Sequence, residues 1–187
     1  VSSRLIERAE AWIEPYWNAR HLLRTRDWLL ELEPAASTAL QLAALTHDME
    51  RHFPGGPEFD PGTMAPHDED YRKAHCERSA TIVARWLRAE EADDALVREV
   101  QRLIAAHETG GDPDADLLQA ADSISFLETN ADLVLHWYLD GRCSPERAKA
   151  QHARMLERIQ IPRARALAAP LYDWALALID REAAARA

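Results

Sequence analysis

Apolar residues recurring at helical spacing divide this chain into a run of helices. A first helix is predicted over roughly 2 to 13. "EPYWNARHLLRTRDWLLEL" restarts one, with Pro15 in the first turn, where a missing N–H does no harm. "EPAASTALQLAALTHDM" opens a third helix at Pro34, carries Leu42 and Leu45 on its apolar face, and ends near His47 and Asp48. Residues 53 to 68, "FPGGPEFDPGTMAPHD", hold four prolines and three glycines and cannot continue it. This longest loop is a candidate lid. Helix returns through "EDYRKAHCERSATIVARWLRAE" and "ADDALVREVQRLIAAHE", the second stopped by Gly110 and Gly111. "DPDADLLQAADSISFLETN" begins with an acidic first turn that suits the helix dipole, and "ADLVLHWYLD" follows. "CSPERAKAQHARMLERI" has Ser144 as N-cap and Pro145 at the first helical position, and "PRARALAAPLYDWALALIDREAAA" closes the chain. Trp12, Trp17, Trp28 and Trp86 are expected to fill the core.

Composition agrees with this pattern. Ala, Leu, Glu and Arg dominate while Gly is scarce, so the expected fold class is all-α. A length of 187 residues suits one well-filled core, and no repeat, low-complexity tract or linker divides it, which predicts a single-domain helical bundle. The formal charge of −10 argues against a long nucleic-acid partner, which would draw on clustered Lys and Arg. It does not exclude a small phosphorylated substrate, because bound cations reverse a local field. Cys76 and Cys143 form no CxxC pair, so a disulfide framework or thiolate zinc site has no support and a reducing cytoplasm fits best. "VSSRLIERAE" is charged, and the apolar "APLYDWALALI" is interrupted by Asp173, which predicts neither secretion nor membrane insertion.

Candidate chemistry starts from "THDMERHFPGG". Adjacent helical residues point about 100° apart, so His47 and Asp48 are not two members of one buried stripe. At a helix end both side chains can turn toward one point, and imidazole with carboxylate is a donor pair that Fe, Mn, Co and Zn accept. Further ligand types stand on separate helices: His21 before the pair, then His75, His107 and Asp122 after it. Such residues can converge inside a helical bundle. His52, His67, His136 and His152 read as structural. His67 and Asp68 repeat the dipeptide but follow no apolar helix, and are expected at the surface or as a helix cap.

The order H…HD…H…H…D, with "LAALTHDME", "AHCERSATIVARWL", "LIAAHETGG" and "LLQAADSISFLE", resembles the HD superfamily of metal-dependent phosphohydrolases. The resemblance spans residues 15 to about 130 and implies an HD-type helical domain, its metal-site core there and covering helices over about 142–187. It implies that His21, His47, Asp48 and Asp122 hold one divalent ion (Fe, Mn, Co, Zn or Mg). His75 and His107 would hold a second with Asp48 bridging, or face the substrate phosphate where one ion binds. The implied activity is hydrolysis of a small phosphate ester, most often a nucleotide, by a metal-activated water. Arg24, close to His21 on the helical wheel, Lys73 with Arg72 just before His75, and Arg51 are the candidate cations for phosphoryl charge. Two other readings share the ligand set or the fold: a di-iron oxygenase of a small organic substrate, and a non-catalytic nucleotide-sensing module.

Overall fold

The computed structural model describes residues 2–186, and among these the fold is all-α, a single-domain bundle without strands. The helices are α1 (Ser2–Ile13), α2 (Ala19–Leu32), α3 (Thr38–Thr46), α4 (Glu69–Ala89), α5 (Asp94–Ala106), α6 (Pro113–Thr129), α7 (Ala131–Leu139), α8 (Pro145–Glu157) and α9 (Pro162–Arg186), with a 3-10 turn at Met49–His52. Most helix starts have a side-chain cap. Ser37, Asp68, Asp93, Asp112 and Ser144 accept the otherwise unpaired N–H groups of the first turns of α3, α4, α5, α6 and α8. Asp68 therefore does cap a helix, accepting from Tyr71 N at 2.9 Å.

Two of the expected boundaries shift. Pro15 does not start α2: residues 14–18 form turns, with Tyr16 N bonded to Ile13 O and Ala19 N to Tyr16 O. Pro34 likewise precedes α3, which begins only after Ser37 caps Leu40 N.

α3 and α6 lie innermost. α3 is short and almost wholly apolar, and is buried on nearly all sides from Ala39 to Thr46. α6 packs along α2 and also meets α9 and α8, so its own buried positions run from Ala115 through Leu127. α4 and α5 form an antiparallel pair, and α5 turns Val97, Val100, Leu103 and Ile104 inward, each fully buried. Burial on that scale stabilises by roughly 1.5–3 kcal/mol per side chain. The Trp12 and Trp86 rings stack 4.6 Å apart between α1 and α4. Trp17 departs from expectation: it is 63% exposed. Among the described residues no helix is long and apolar enough to cross a membrane.

Candidate metal centre

α3 ends at Thr46 because the backbone tightens there. His47 is the C-cap, still in helical geometry with its N–H bonded to Ala43 O, and Asp48 leads directly into the 3-10 turn. This change of pitch turns both side chains of the dipeptide into the interior, where His47 is 1% and Asp48 8% exposed. His21 comes from the buried face of α2, His75 from α4, His107 from the C-cap of α5 and Asp122 from the middle of α6, all buried.

These six side chains meet. His21 Nε2 lies 3.1 Å and His47 Nε2 3.4 Å from Asp122 Oδ1, and His75 Nε2 lies 3.1 Å from Asp48 Oδ1. The rings of His47 and His107 are 5.0 Å apart, and those of His75 and His107 5.3 Å. Three overlapping sets offer ligand atoms within 4.8 Å of one another: His21, His47 and Asp48; His47, His107 and Asp122; Asp48, His75 and His107. The shared members allow one ion or an adjacent pair.

The other ring nitrogen of each histidine is already engaged. Nδ1 of His47 and of His107 reaches the carbonyls of Ala44 at 3.1 Å and Ile104 at 2.7 Å, and Nδ1 of His75 reaches Glu50 Oε1 at 2.9 Å. Ser125 Oγ donates to His21 O at 2.8 Å and so accepts from His21 Nδ1 at 2.9 Å. Each partner can accept, which favours a proton on Nδ1, and the Nε2 atoms turn inward toward the carboxylates, where a cation could take their lone pairs. Metal-ligating histidines are oriented in this way. His47 Nε2 and His75 Nε2 are buried with no hydrogen-bond partner. Orphaned imidazole nitrogens facing carboxylate oxygens fit a borderline divalent cation, and the buried His/Asp cluster could hold one.

The field agrees with the donor set. Burial would raise both carboxyls, yet Arg51, His75 and His47 hold Asp48, and Arg158, His47 and His21 hold Asp122, well below the usual carboxylate range. Burial pulls His47 down while Asp122 and Asp48 outweigh it, and the net direction is up. His107 is pushed down to about 4 by burial and by His47 and His75 beside it, so its imidazole is neutral at physiological pH.

An open cavity leads to this cluster, enclosing about 690 Å³ with its mouth included. His21, Asp48 and Asp122 reach its floor; Trp17, Phe59, Phe126 and Trp137 give aromatic walls, and Asn18, Asn130 and Gln151 give amides. The 53–68 loop supplies Phe59 and Pro66 to the wall and is anchored by Arg147, which donates to Pro61 O at 2.8 Å and Met64 O at 2.6 Å. The cations at the cavity differ from two of those expected. Arg24 lies outside the wall, bound to Glu128 at 3.0 Å and Asp27 at 2.8 Å, and Lys73 is exposed in a separate groove. Arg51, Arg72 and Arg154 line the cavity instead. His52 packs edge-on against Tyr16 and is absent from the lining.

Two contributors carried no signal of their own in the sequence. Glu50 is 1% exposed and joins His75 to Arg78, whose Nε lies 3.3 Å from Glu50 Oε2. Arg158, just past α8, is 3% exposed; it bonds Asp122 Oδ2, Glu108 Oε2 at 2.7 Å and Ser123 Oγ at 2.7 Å. The covering helices thus take part in the centre. Ordinary Glu and Arg residues in amphipathic helices announce neither their burial nor partners far along the chain.

A family model described as a domain of unknown function (DUF4202) matches residues 11–138, which include all six converging side chains. No curated protein and no solved structure gave a significant match. With more than half of its length matched, the chain belongs to the DUF4202 family.

Proposed function

We propose that this protein is a metal-dependent phosphohydrolase of the HD type, acting on a small phosphate ester. The observation that carries the reading is the convergence of inward-facing imidazole nitrogens and two carboxylates at the floor of a cavity that arginines line. A divalent ion bound there supplies a water acidic enough to attack at neutral pH and a Lewis acid for a phosphoryl oxygen. The chain's own groups would do the rest. Asp48, shared by two of the ligand sets, stands between the His21 side and the His75 side and would bridge them. Arg51, its Nε 3.4 Å from Asp48 Oδ1, would meet the charge that grows on the phosphoryl oxygens with the rest of its guanidinium. Tyr71, stacked against His75 with Arg51 over its face, limits how far that guanidinium can swing.

The remainder of the cavity supports a nucleotide or a nucleotide-like substrate, because aromatic faces and amide edges are what a planar heterocycle uses. The free Cys76 and Cys143 support a reducing, cytoplasmic setting. Arginines at the cavity support a substrate that carries phosphate.

The test begins with elemental analysis of protein purified without chelator. Metal is expected in wild type, with part of it lost in His75→Ala and nearly all in Asp48→Ala. Phosphate release from a nucleotide panel should require metal and fall at least 100-fold in Asp48→Ala. Metal-loaded wild type that releases neither phosphate nor nucleoside, and is indistinguishable from Asp48→Ala, removes the proposal. Oxygen uptake by an iron-loaded form would point to the oxygenase.

A further inference from the structure

We propose that Arg72 and Arg154, with the Gln151 amide, form a binding site for a phosphoryl dianion beside the metal cluster, so that the substrate carries a second phosphoryl group besides the one attacked. The part concerning the substrate rests on the hydrolase reading; the anion site does not. Both guanidiniums line the cavity, one from α4 and one from α8. Neither has a carboxylate partner among the described residues. Arg72 makes only a long bond, 3.4 Å, from its Nε to Asp68 O, and Arg154 Nε is buried without any partner. The remaining cations of this region are occupied, Arg51 by Asp48 and Arg158 by Asp122 and Glu108.

A chain with 32 acidic residues has no shortage of carboxylates to place here. Of the acids that line the cavity, Asp48 and Asp122 belong to the histidine cluster and Glu108 is taken by Arg158 at 2.7 Å. Burial, then Arg158 and Arg72 as like charges, lower the Arg154 guanidinium from its ordinary value. Glu108 and Glu157 counter only part of this, so a partly buried cation beside two others gains when an anion joins it. Gln151 Oε1 is buried and unpartnered in the same wall, and its amide turned over presents N–H donors to that anion. Two open guanidiniums match the charge of a terminal phosphoryl group, about −1.5 to −2, better than the single charge of a carboxylate.

Titration calorimetry with inorganic phosphate tests this on both metal-loaded and chelator-stripped protein. Stripped wild type should bind one phosphate per chain, and Arg72→Gln and Arg154→Gln should each weaken it at least tenfold while the metal content of the loaded variants matches wild type. Acetate at equal concentration should not compete. The site is overturned if stripped wild type binds no phosphate at millimolar concentration, if both variants bind as wild type does, or if acetate competes equally. Phosphate binding that follows the arginines in a protein that hydrolyses nothing keeps this site and removes the hydrolase reading; metal-dependent hydrolysis without phosphate binding to the stripped form does the reverse.

Discussion

Glu50 lies two positions beyond Asp48 and fixes the His75 ring through Nδ1, so removing its charge loosens a ligand without touching the ligand itself. Glu50→Gln is expected to weaken binding of a divalent ion offered to the His75 side of the cluster by about 10–100-fold, read by metal titration, with the His21 side unaffected. A Cβ at Gly56 would run into Glu50 Oε2, so Gly56→Ala should act in the same direction. His152 offers a different test. It is fully buried against Phe126 with both ring nitrogens unpartnered, and burial pushes it down to about 4. A histidine kept neutral by the fold, with an unfolded value near 6.5, contributes stability that is complete above pH 6.5 and lost as the pH falls toward 4. The loss is about 3 kcal/mol, and His152→Leu should abolish that part of the acid dependence in denaturant midpoints taken with chelator present. At this scale the inward turn of His47 and Asp48 could be read from the sequence, because a His-Asp pair at a helix end has no place in a buried stripe. Glu50 and Arg158 could not, since charge alone says nothing of burial.

Two helix ends bring His47, Asp48 and His107 into the cluster, and the helix caps are separable energetic units. Ser144 Oγ accepts from Arg147 N at 3.3 Å, and Ser144→Ala should destabilise by about 1 kcal/mol without altering metal content. Arg147, on the first turn of the same helix, holds the 53–68 loop through the carbonyls of Pro61 and Met64. Arg147→Ala should therefore open the loop to limited proteolysis between residues 55 and 64 while the global midpoint moves little; cleavage at the wild-type rate would show that the loop is held by other contacts. Caps such as Ser144 and Asp68 were legible because a short polar side chain before an apolar run has one local role. Pro15 and Pro34 misled for a related reason: proline permits a helix start without requiring one, and the real starts follow Asn18 and Ser37.

Across the molecule, the covering helices complete an electrostatic circuit begun by the matched segment. Arg158 stands between Asp122 and Glu108, and without it a buried and a partly buried carboxylate lose the cation they share. Arg158→Met should lower the stability of chelator-treated protein by about 3–5 kcal/mol, measured by urea unfolding, and added divalent metal should restore part of it. A loss below about 1 kcal/mol would mean that the carboxylates are neutralised by another route. The all-α bundle could be foreseen from composition and spacing, whereas the entry of α8 into the centre could not, because it depends on how helices stack over distances that no local pattern encodes. The locked imidazole rings have one more consequence. A socket whose rings are held by Ser125, Ala44, Glu50 and Ile104 has no freedom to reshape itself around a preferred guest. Every ion would meet the same fixed spacing, so the site would discriminate by that geometry and not only by the intrinsic order of first-row ions. The supply of the surrounding cell would then choose only among the ions that accept this spacing, and one unchanged fold would take on different reactivity as that supply changed.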